Sequence, residues 1–365
     1  MDSPPPTDAL QLLQAELVQL VEQLPTLRHG KLIYQALATL VRMSDDAIDR
    51  LDWKILKSSL QDLEKGFQTF ASYRHTRKIT IFGSSRMQAD APEYLLAVEF
   101  ARRVTQQGFM VMTGGGGGIM EAGNKGAGLG NSFGLNIELP FEQGANPFIE
   151  GTDKLINFKY FFTRKLFFLR ETDAIALFPG GYGTLDEAFE CLTLSQTGKS
   201  PPIPVVLIDR PGGTYWKDWD AYIQKHLIQS GMISPEDNRL YVITDNLDVA
   251  CQAISDFYRV YHSSRYVGER LVLRLKKELA DADVEQLNQA YQDIVLAGQI
   301  EKSQALPEEF QGTQAVPEDL QGETAGLSRL VFQFNQRDHG RLYHLIAEIN
   351  RMGTSAPEAD HPELK

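Results

Sequence analysis

The chain has 365 residues, 42% of them hydrophobic and 23% charged, and its 36 basic against 48 acidic residues give a net charge of −12. That length exceeds one ordinary small domain and predicts one large domain with smaller appendages. The acidic balance works against a broad phosphate-backbone contact surface, which excludes DNA or RNA as the main partner.

The two cysteines, Cys191 and Cys251, lie in apolar helical stretches with no zinc-like spacing and no disulfide framework, as expected in a reducing cytoplasm. The opening "MDSPPPTDAL" is acidic and proline-rich, without a basic or apolar leader region. No apolar run approaches the ~20 residues of a membrane span. The expectation is a cytoplasmic protein, neither exported nor inserted in a membrane.

From Asp8 to about Tyr73 the pattern is helical, with Leu10, Leu13, Leu17, Leu20, Val21 and Leu24 three and four apart until Pro25 breaks the run. Two further helices follow, the latter expected to be capped by Ser44 before Asp46 and Ala47. This leucine stripe reads as a helical cap without a catalytic role, an extension over residues 1–76.

At Lys78 the period changes. "KITIFG", "FMVMTGG", "SFGLNIEL", "DAIALFPGG" and "PVVLID" are short buried-strand patterns, and a helix is expected from about Glu93 to Gln107. This alternation over residues 77–262 predicts an α/β, Rossmann-like fold, a parallel sheet with helices on both faces. Ligands of such sheets bind beyond the carboxyl ends of the strands. Three strands end there in glycine turns: Gly83-Ser84-Ser85, Gly114 to Gly118, and Gly180-Gly181-Tyr182-Gly183.

After a helix ending near Val260, two strand-and-helix pairs predict a small α+β module over residues 263–365. Between the pairs runs a tandem ten-mer, Gln304 to Gly312 echoed by Gln314 to Gly322, read as a linker-like insert over 303–326 that cannot bury much. Whether the module senses a ligand or only packs against its neighbours is open at this level.

Two motif resemblances fail. "TGKS" at Thr197 to Ser200 lacks the glycine five residues earlier, where Thr193 stands, and prolines follow where a helix should begin. Gly114 to Gly118 does not complete a dinucleotide fingerprint, because Ile119, Met120 and Glu121 occupy the third-glycine positions. The stretch "LFPGGYGTLDE" suits a mononucleotide better. Its glycines allow close approach of backbone amides, and Thr184 opens a helix whose positive end favours phosphate. Thr184 and Glu187 also have capping-box spacing, which would leave Glu187 a purely structural role, and Asp186 reads as a first-turn acid. Upstream, Arg164 and Lys165 sit on an aromatic-rich helix that feeds straight into the same strand.

"GGGGGIMEAGNKGA" at 114–127, "RK" at 164–165 and "PGGYGTLDE" at 179–187, in that order, resemble the LONELY GUY family, often mislabelled lysine decarboxylases. The resemblance covers about residues 77–261, half the chain. It implies hydrolysis of the N-glycosidic bond of nucleoside 5′-monophosphates, AMP-like or cytokinin riboside monophosphates, to free base and ribose 5-phosphate. Arg164 and Glu187 would be the catalytic pair. Gly180, Gly181, Gly183 and Thr184 would hold the phosphate. Ser84, Ser85, Gly115, Gly116, Gly117, Glu121, Asn124 and Lys165 would enclose the nucleotide. No metal or redox cofactor is required, and the family implies a homodimer or larger homo-oligomer. Phe161 and Phe162 replace the Met and His common in compact cytokinin-activating members, so a general nucleoside monophosphate is the expected substrate. The alternative is a non-catalytic nucleotide sensor or carrier, which would need neither Arg164 nor Glu187.

Overall fold

A computed structural model describes residues 23–44, 48–138, 144–309 and 324–353. The chain divides into two units, Met1–Gln61 and Asp62–Lys365. In the first, helix α1 spans Gly30–Ser44 and α2 spans Arg50–Ala71, the latter running on into the second unit. The leucine stripe before residue 23 and the expected helix start at Asp46 and Ala47 lie outside the described residues. α2 is capped by Asp49, whose carboxylate accepts from the amides of Leu51 and Asp52.

The second unit is built on a seven-stranded, all-parallel sheet: β1 Lys78–Phe82, β2 Met110–Thr113, β3 Ser132–Ile137, β4 Leu155–Phe158, β5 Ala174–Leu177, β6 Val205–Ile208 and β7 Val242–Thr244. The spatial order is β4-β3-β2-β1-β5-β6-β7. The chain winds outward from β1 to β4, then returns to pair β5 with the other side of β1, and so reverses direction between β1 and β5. That reversal makes the carboxyl ends of β1 and β5 the switch point of a doubly wound sheet.

Alternation along the strands builds two cores. Ile79, Ile81, Val111, Ala174, Ala176, Val206 and Ile208 face one side, under α3 (Pro92–Gln106), α4 (Ile119–Ala127) and α8 (Leu247–Phe257). Phe82, Met110, Met112, Ile175, Leu177, Val205 and Leu207 face the other, under the last turns of α2 and helices α5 (Phe161–Glu171), α6 (Tyr182–Gln196) and α7 (Tyr215–Ile223). Strands buried on both faces read as continuous apolar runs, which is why β1, β2, β5 and β6 were visible in the sequence.

The C-terminal residues form a four-stranded antiparallel sheet, order β10-β11-β9-β8, from β8 Tyr261–Val267, β9 Arg270–Leu275, β10 Glu301–Ser303 and β11 Ser328–Phe332, with α9 Asp281–Ala290 and α10 His339–Met352. Leu271, Leu273, Phe332, Leu345 and Ile346 join the same core as Ile79 and Ile81. The insert's second copy, with residues 310–323, lies outside the described residues. In the first copy the expectation of little burial fails: Glu309 is fully buried and paired with Arg274 and Arg329, both at 3.0 Å.

Candidate active site

The three glycine turns meet at the switch point. The Ser84 amide donates to the Pro179 carbonyl (3.1 Å), and the Ile119 amide donates to the Ser84 carbonyl (3.0 Å), so the turn after β1 is bonded to the turns after both β5 and β2. Gly180 must be glycine for packing reasons: a Cβ there would lie 2.1 Å from Thr184 Oγ1 and 2.9 Å from the Ser84 amide nitrogen. Around Gly181 and Gly183 the space is open.

The helix start differs from the sequence reading. α6 begins at Tyr182, its N-cap is Gly181, and no side chain caps it. Thr184 sits inside the first turn, buried, with its amide bonded to the Gly181 carbonyl. The capping box with Glu187 is therefore not formed, and Asp186 stands beyond the first turn. Among the described residues nothing accepts from the amides of Gly181, Tyr182 and Gly183, all of them exposed. Such a helix end offers donors and a positive dipole end to an anion. Tyr215, which sequence reasoning passed over, aims one of these donors. Its hydroxyl donates to the Gly180 carbonyl at 2.6 Å. In a trans peptide the following N-H points the opposite way, so holding that carbonyl back turns the Gly181 amide outward.

α5 is fixed from the far side. Buried Asp62 accepts from the amides of Lys159 (3.0 Å) and Tyr160 (3.3 Å) and from the Thr163 hydroxyl (2.7 Å), which ties down the entry to the helix. The next residue is Arg164. Its Nε donates to the Leu135 carbonyl at 2.7 Å, its guanidinium lies over the Phe168 ring, and its terminal nitrogen covers Gly114 so closely that a Cβ there would sit 2.4 Å away. One turn into α6, Glu187 is largely buried. Burial pushes its carboxyl above the ordinary range, and the charges of Lys165 and Arg164 pull back against that without cancelling it.

Lys165, expected to help enclose the nucleotide, is placed among carboxylates. Its ammonium lies between Asp186 (2.9 Å), Glu187 (3.3 Å) and Glu190 (2.5 Å). Burial alone would lower its pKa, but Glu190, Asp186 and Glu187 more than reverse this and hold the lysine charged. Lys165 thus anchors the Glu187 carboxylate.

Asn124, expected to enclose the nucleotide, is placed behind the glycine turn. It is fully buried and turned inward, bonded to Thr113, Asn146 and the Phe133 carbonyl, and so stiffens the glycine turn from behind. The Gly115 amide is likewise taken by Thr113 Oγ1 (3.0 Å), and Asn146, also unforeseen, ties down the carbonyls of Gly115 and Gly116. Glu121 accepts from the Tyr94 hydroxyl at 2.8 Å. Ser84, Ser85 and Gly117 remain at the surface of the junction, where Gly117 faces the Ser85 carbonyl. The site therefore gathers Arg164, Glu187, Thr184, Gly180, Gly181, Gly183, Ser84, Ser85, Gly116 and Gly117. Tyr215, Asp62 and Asn146 act from distant segments with no local spacing signal, which hid them from the sequence.

A family model described as "Possible lysine decarboxylase" matches residues 111–254. A curated protein of Oryza sativa subsp. japonica, named a probable cytokinin riboside 5′-monophosphate phosphoribohydrolase, is 28% identical over 183 residues, 48% of this chain and 71% of its own length. A cytokinin riboside 5′-monophosphate phosphoribohydrolase of Arabidopsis thaliana is 33% identical over 94 residues, 26% of this chain and 42% of its own length. Among solved structures, a molybdenum cofactor binding protein from Rippkaea orientalis aligns with TM-score 0.36 and 18% identity over 50% of this chain and 96% of that one.

Proposed function

We propose that the chain is a LONELY GUY-family enzyme that hydrolyses the N-glycosidic bond of nucleoside 5′-monophosphates in the cytoplasm, releasing free base and ribose 5-phosphate, a reading supported by the family model over residues 111–254 and by its curated relatives. The observation that carries this reading is the placement of Glu187. It stands one turn into a helix whose first amides are open, buried enough to resist solvation, anchored by Lys165 and within electrostatic reach of Arg164.

The phosphate rests on the amides of Gly181, Tyr182 and Gly183 with the Thr184 hydroxyl beside it. Binding energy there, remote from the bond that breaks, positions the ribose against the carboxylate. As the bond to the base lengthens, the sugar takes on oxocarbenium character, and the Glu187 carboxylate stabilises that charge and activates the attacking water. The base leaves with negative charge, which Arg164, cationic at any working pH, stabilises. Lys165 is no candidate for an imine-forming amine, since three carboxylates hold it protonated. Exposed Phe162, stacked on Tyr160 with ring centroids 5.5 Å apart, offers the base an aromatic neighbour without selecting one base.

The same reading includes a homodimer or larger homo-oligomer. Phe161, Phe162, Leu166 and Phe189 leave a broad apolar surface on α5 and α6, and light scattering during size exclusion measures whether copies of the chain cover it.

The test is incubation of the purified chain with AMP, GMP, CMP and UMP and assay of free base and ribose 5-phosphate. Glu187→Gln is expected to abolish release while AMP still binds. Wild-type turnover by that variant would remove Glu187 from the mechanism. Binding of all four nucleotides by the native chain without release of any base would favour a carrier.

A further inference from the structure

Met120 belongs to neither of the two hydrophobic cores, yet it is half-buried. It stands at the second position of α4, where the glycine turn after β2 becomes helix. An apolar side chain that is outside the cores and still shielded from water has its neighbours in the junction of the turns.

Those neighbours are glycines. A Cβ at Gly114 would lie 2.5 Å from Met120 Sδ, and one at Gly116 would lie 2.9 Å from Met120 Cε. Neither glycine has φ in the left-handed region, unlike Gly115 and Gly118, so backbone conformation does not demand glycine at these two places. The space they leave is filled by the thioether. At Gly114 the same point lies 2.4 Å from a terminal nitrogen of Arg164, which makes Met120 and Arg164 neighbours. α4 packs on one face of the sheet and α5 on the other. The two side chains therefore reach over the end of β2 from opposite faces and meet above Gly114.

The other sides of Arg164 are taken. The Phe168 ring lies against its guanidinium, the Leu135 carbonyl accepts from its Nε, and the Gly114 backbone lies beneath its terminal nitrogen. A base that accepts from that nitrogen as it leaves comes in along Met120. A thioether is unbranched, soft and polarisable, and it makes favourable contacts with aromatic rings. It asks for no particular pattern of donors and acceptors, so it fits purines and pyrimidines alike. We infer that Met120 is a binding residue for the base, whose ring packs against the thioether while Arg164 meets its leaving nitrogen. The inference rests on the hydrolytic reading of the site and deepens it, because it separates the contact made by the base from those made by phosphate and ribose.

The chain has eight methionines, so isotope labelling of their ε-methyl groups gives a simple NMR spectrum, in which Met120 is the signal lost in Met120→Leu. AMP titrated into the Glu187→Gln chain is expected to move that signal through the ring current of adenine. Ribose 5-phosphate, which lacks the base, should leave it in place. By calorimetry in the same background, Met120→Ala should weaken AMP binding about three- to tenfold and leave ribose 5-phosphate binding unchanged, with Met120→Leu restoring most of the loss. A Met120 signal unmoved by saturating AMP, or moved equally by ribose 5-phosphate, would overturn the assignment. So would equal weakening of both ligands in Met120→Ala, which is what a merely structural methionine would give. If AMP moves the signal but the native chain releases no base, the hydrolytic reading fails and the role of Met120 stands; base release with an unmoved signal is the reverse result.

Discussion

Gly180 and Gly183 stand three residues apart in one turn, and adding the same methyl group to each should have opposite consequences. Gly183 lies in open space inside the first turn of α6. Alanine there meets nothing and improves helix propensity by up to ~1 kcal/mol. At roughly 2 °C per kcal/mol for a unit of this size, the melting temperature should hold or rise slightly. Yet the methyl would stand over amides assigned to the phosphate. Loss of one charge-assisted hydrogen bond is worth about 1.5–3 kcal/mol, so kcat/KM for AMP should fall by roughly 10- to 150-fold. Hydrolysis of adenosine, which lacks the phosphate, should not change. At Gly180 the methyl would press within 2.1 Å of Thr184 Oγ1 and 2.9 Å of a backbone nitrogen, and overpacking of that kind costs about 1–3 kcal/mol. Gly180→Ala should therefore lose stability and activity together. The assay is kcat/KM for AMP and for adenosine beside a thermal melt. If Gly183→Ala keeps wild-type kcat/KM for AMP, the phosphate does not sit on the α6 amides, and the geometry assigned to Glu187 falls with it.

Lys165→Met removes the cation nearest Glu187. Its carboxyl, already raised by burial, should rise further, and because the ionised form is the active one, the acid limb of the kcat profile should move to higher pH, with Lys165→Arg restoring it; an unmoved limb would show that Lys165 does not tune the carboxylate. Asp62→Ala deprives the start of α5 of three donors' common acceptor and should cost about 1–3 kcal/mol by denaturant titration, while an unchanged midpoint would mean that water replaces the carboxylate. Glu309→Gln should cost about 3–5 kcal/mol, since it leaves Arg274 and fully buried Arg329 without their counter-charge. Burial alone would raise the Glu309 pKa, but Arg329 and Arg274 outweigh it and leave it lowered, so the native protein should keep this contribution above the ordinary glutamate range and lose it as pH falls through the lowered value; a variant with the wild-type acid-denaturation profile would refute the pairing.

The strands that the sequence revealed are the ones buried on both faces. β4 and β7 escaped because they lie at the sheet edges. β4 is four residues with Asn157 exposed, and β7 is three residues, none of them buried, so neither presents an apolar run. β8 was hidden for another reason: its middle residues are half exposed and polar, and its pairing with β9 is visible only in space. At the site, the glycine turns and Glu187 were legible because backbone approach and a helix start leave local marks. The role of Lys165 was not, since its three carboxylates lie 21 to 25 residues away on another helix, and the inward turn of Asn124 depends on Thr113, Phe133 and Asn146 together.

The misplaced start of α6 shows most about the site. Sequence rules favour a threonine as a helix cap, and Thr184 looked like one, yet the helix begins at Tyr182 and its N-cap is Gly181, three residues before Thr184 and without a side chain to cap with. α5 and α6 flank β5 in the chain and pack on the same face of the sheet. For α5 a carboxylate 97 residues from Lys159 is brought in to hold the amides of Lys159 and the N-cap Tyr160 and the hydroxyl of Thr163. At α6 no carboxylate does this: among the described residues nothing accepts from the amides of Gly181, Tyr182 and Gly183, and the Thr184 hydroxyl is folded against Gly180. Open donors at one helix end are stable only where water or an anion reaches them. Tyr215 turns one of them outward, and Lys165 holds a carboxylate one turn away from them. A helix needing only to be stable could have used its threonine as a cap; under the proposed reading the free amides receive the phosphate of the substrate, and the buried acid one turn away meets its ribose.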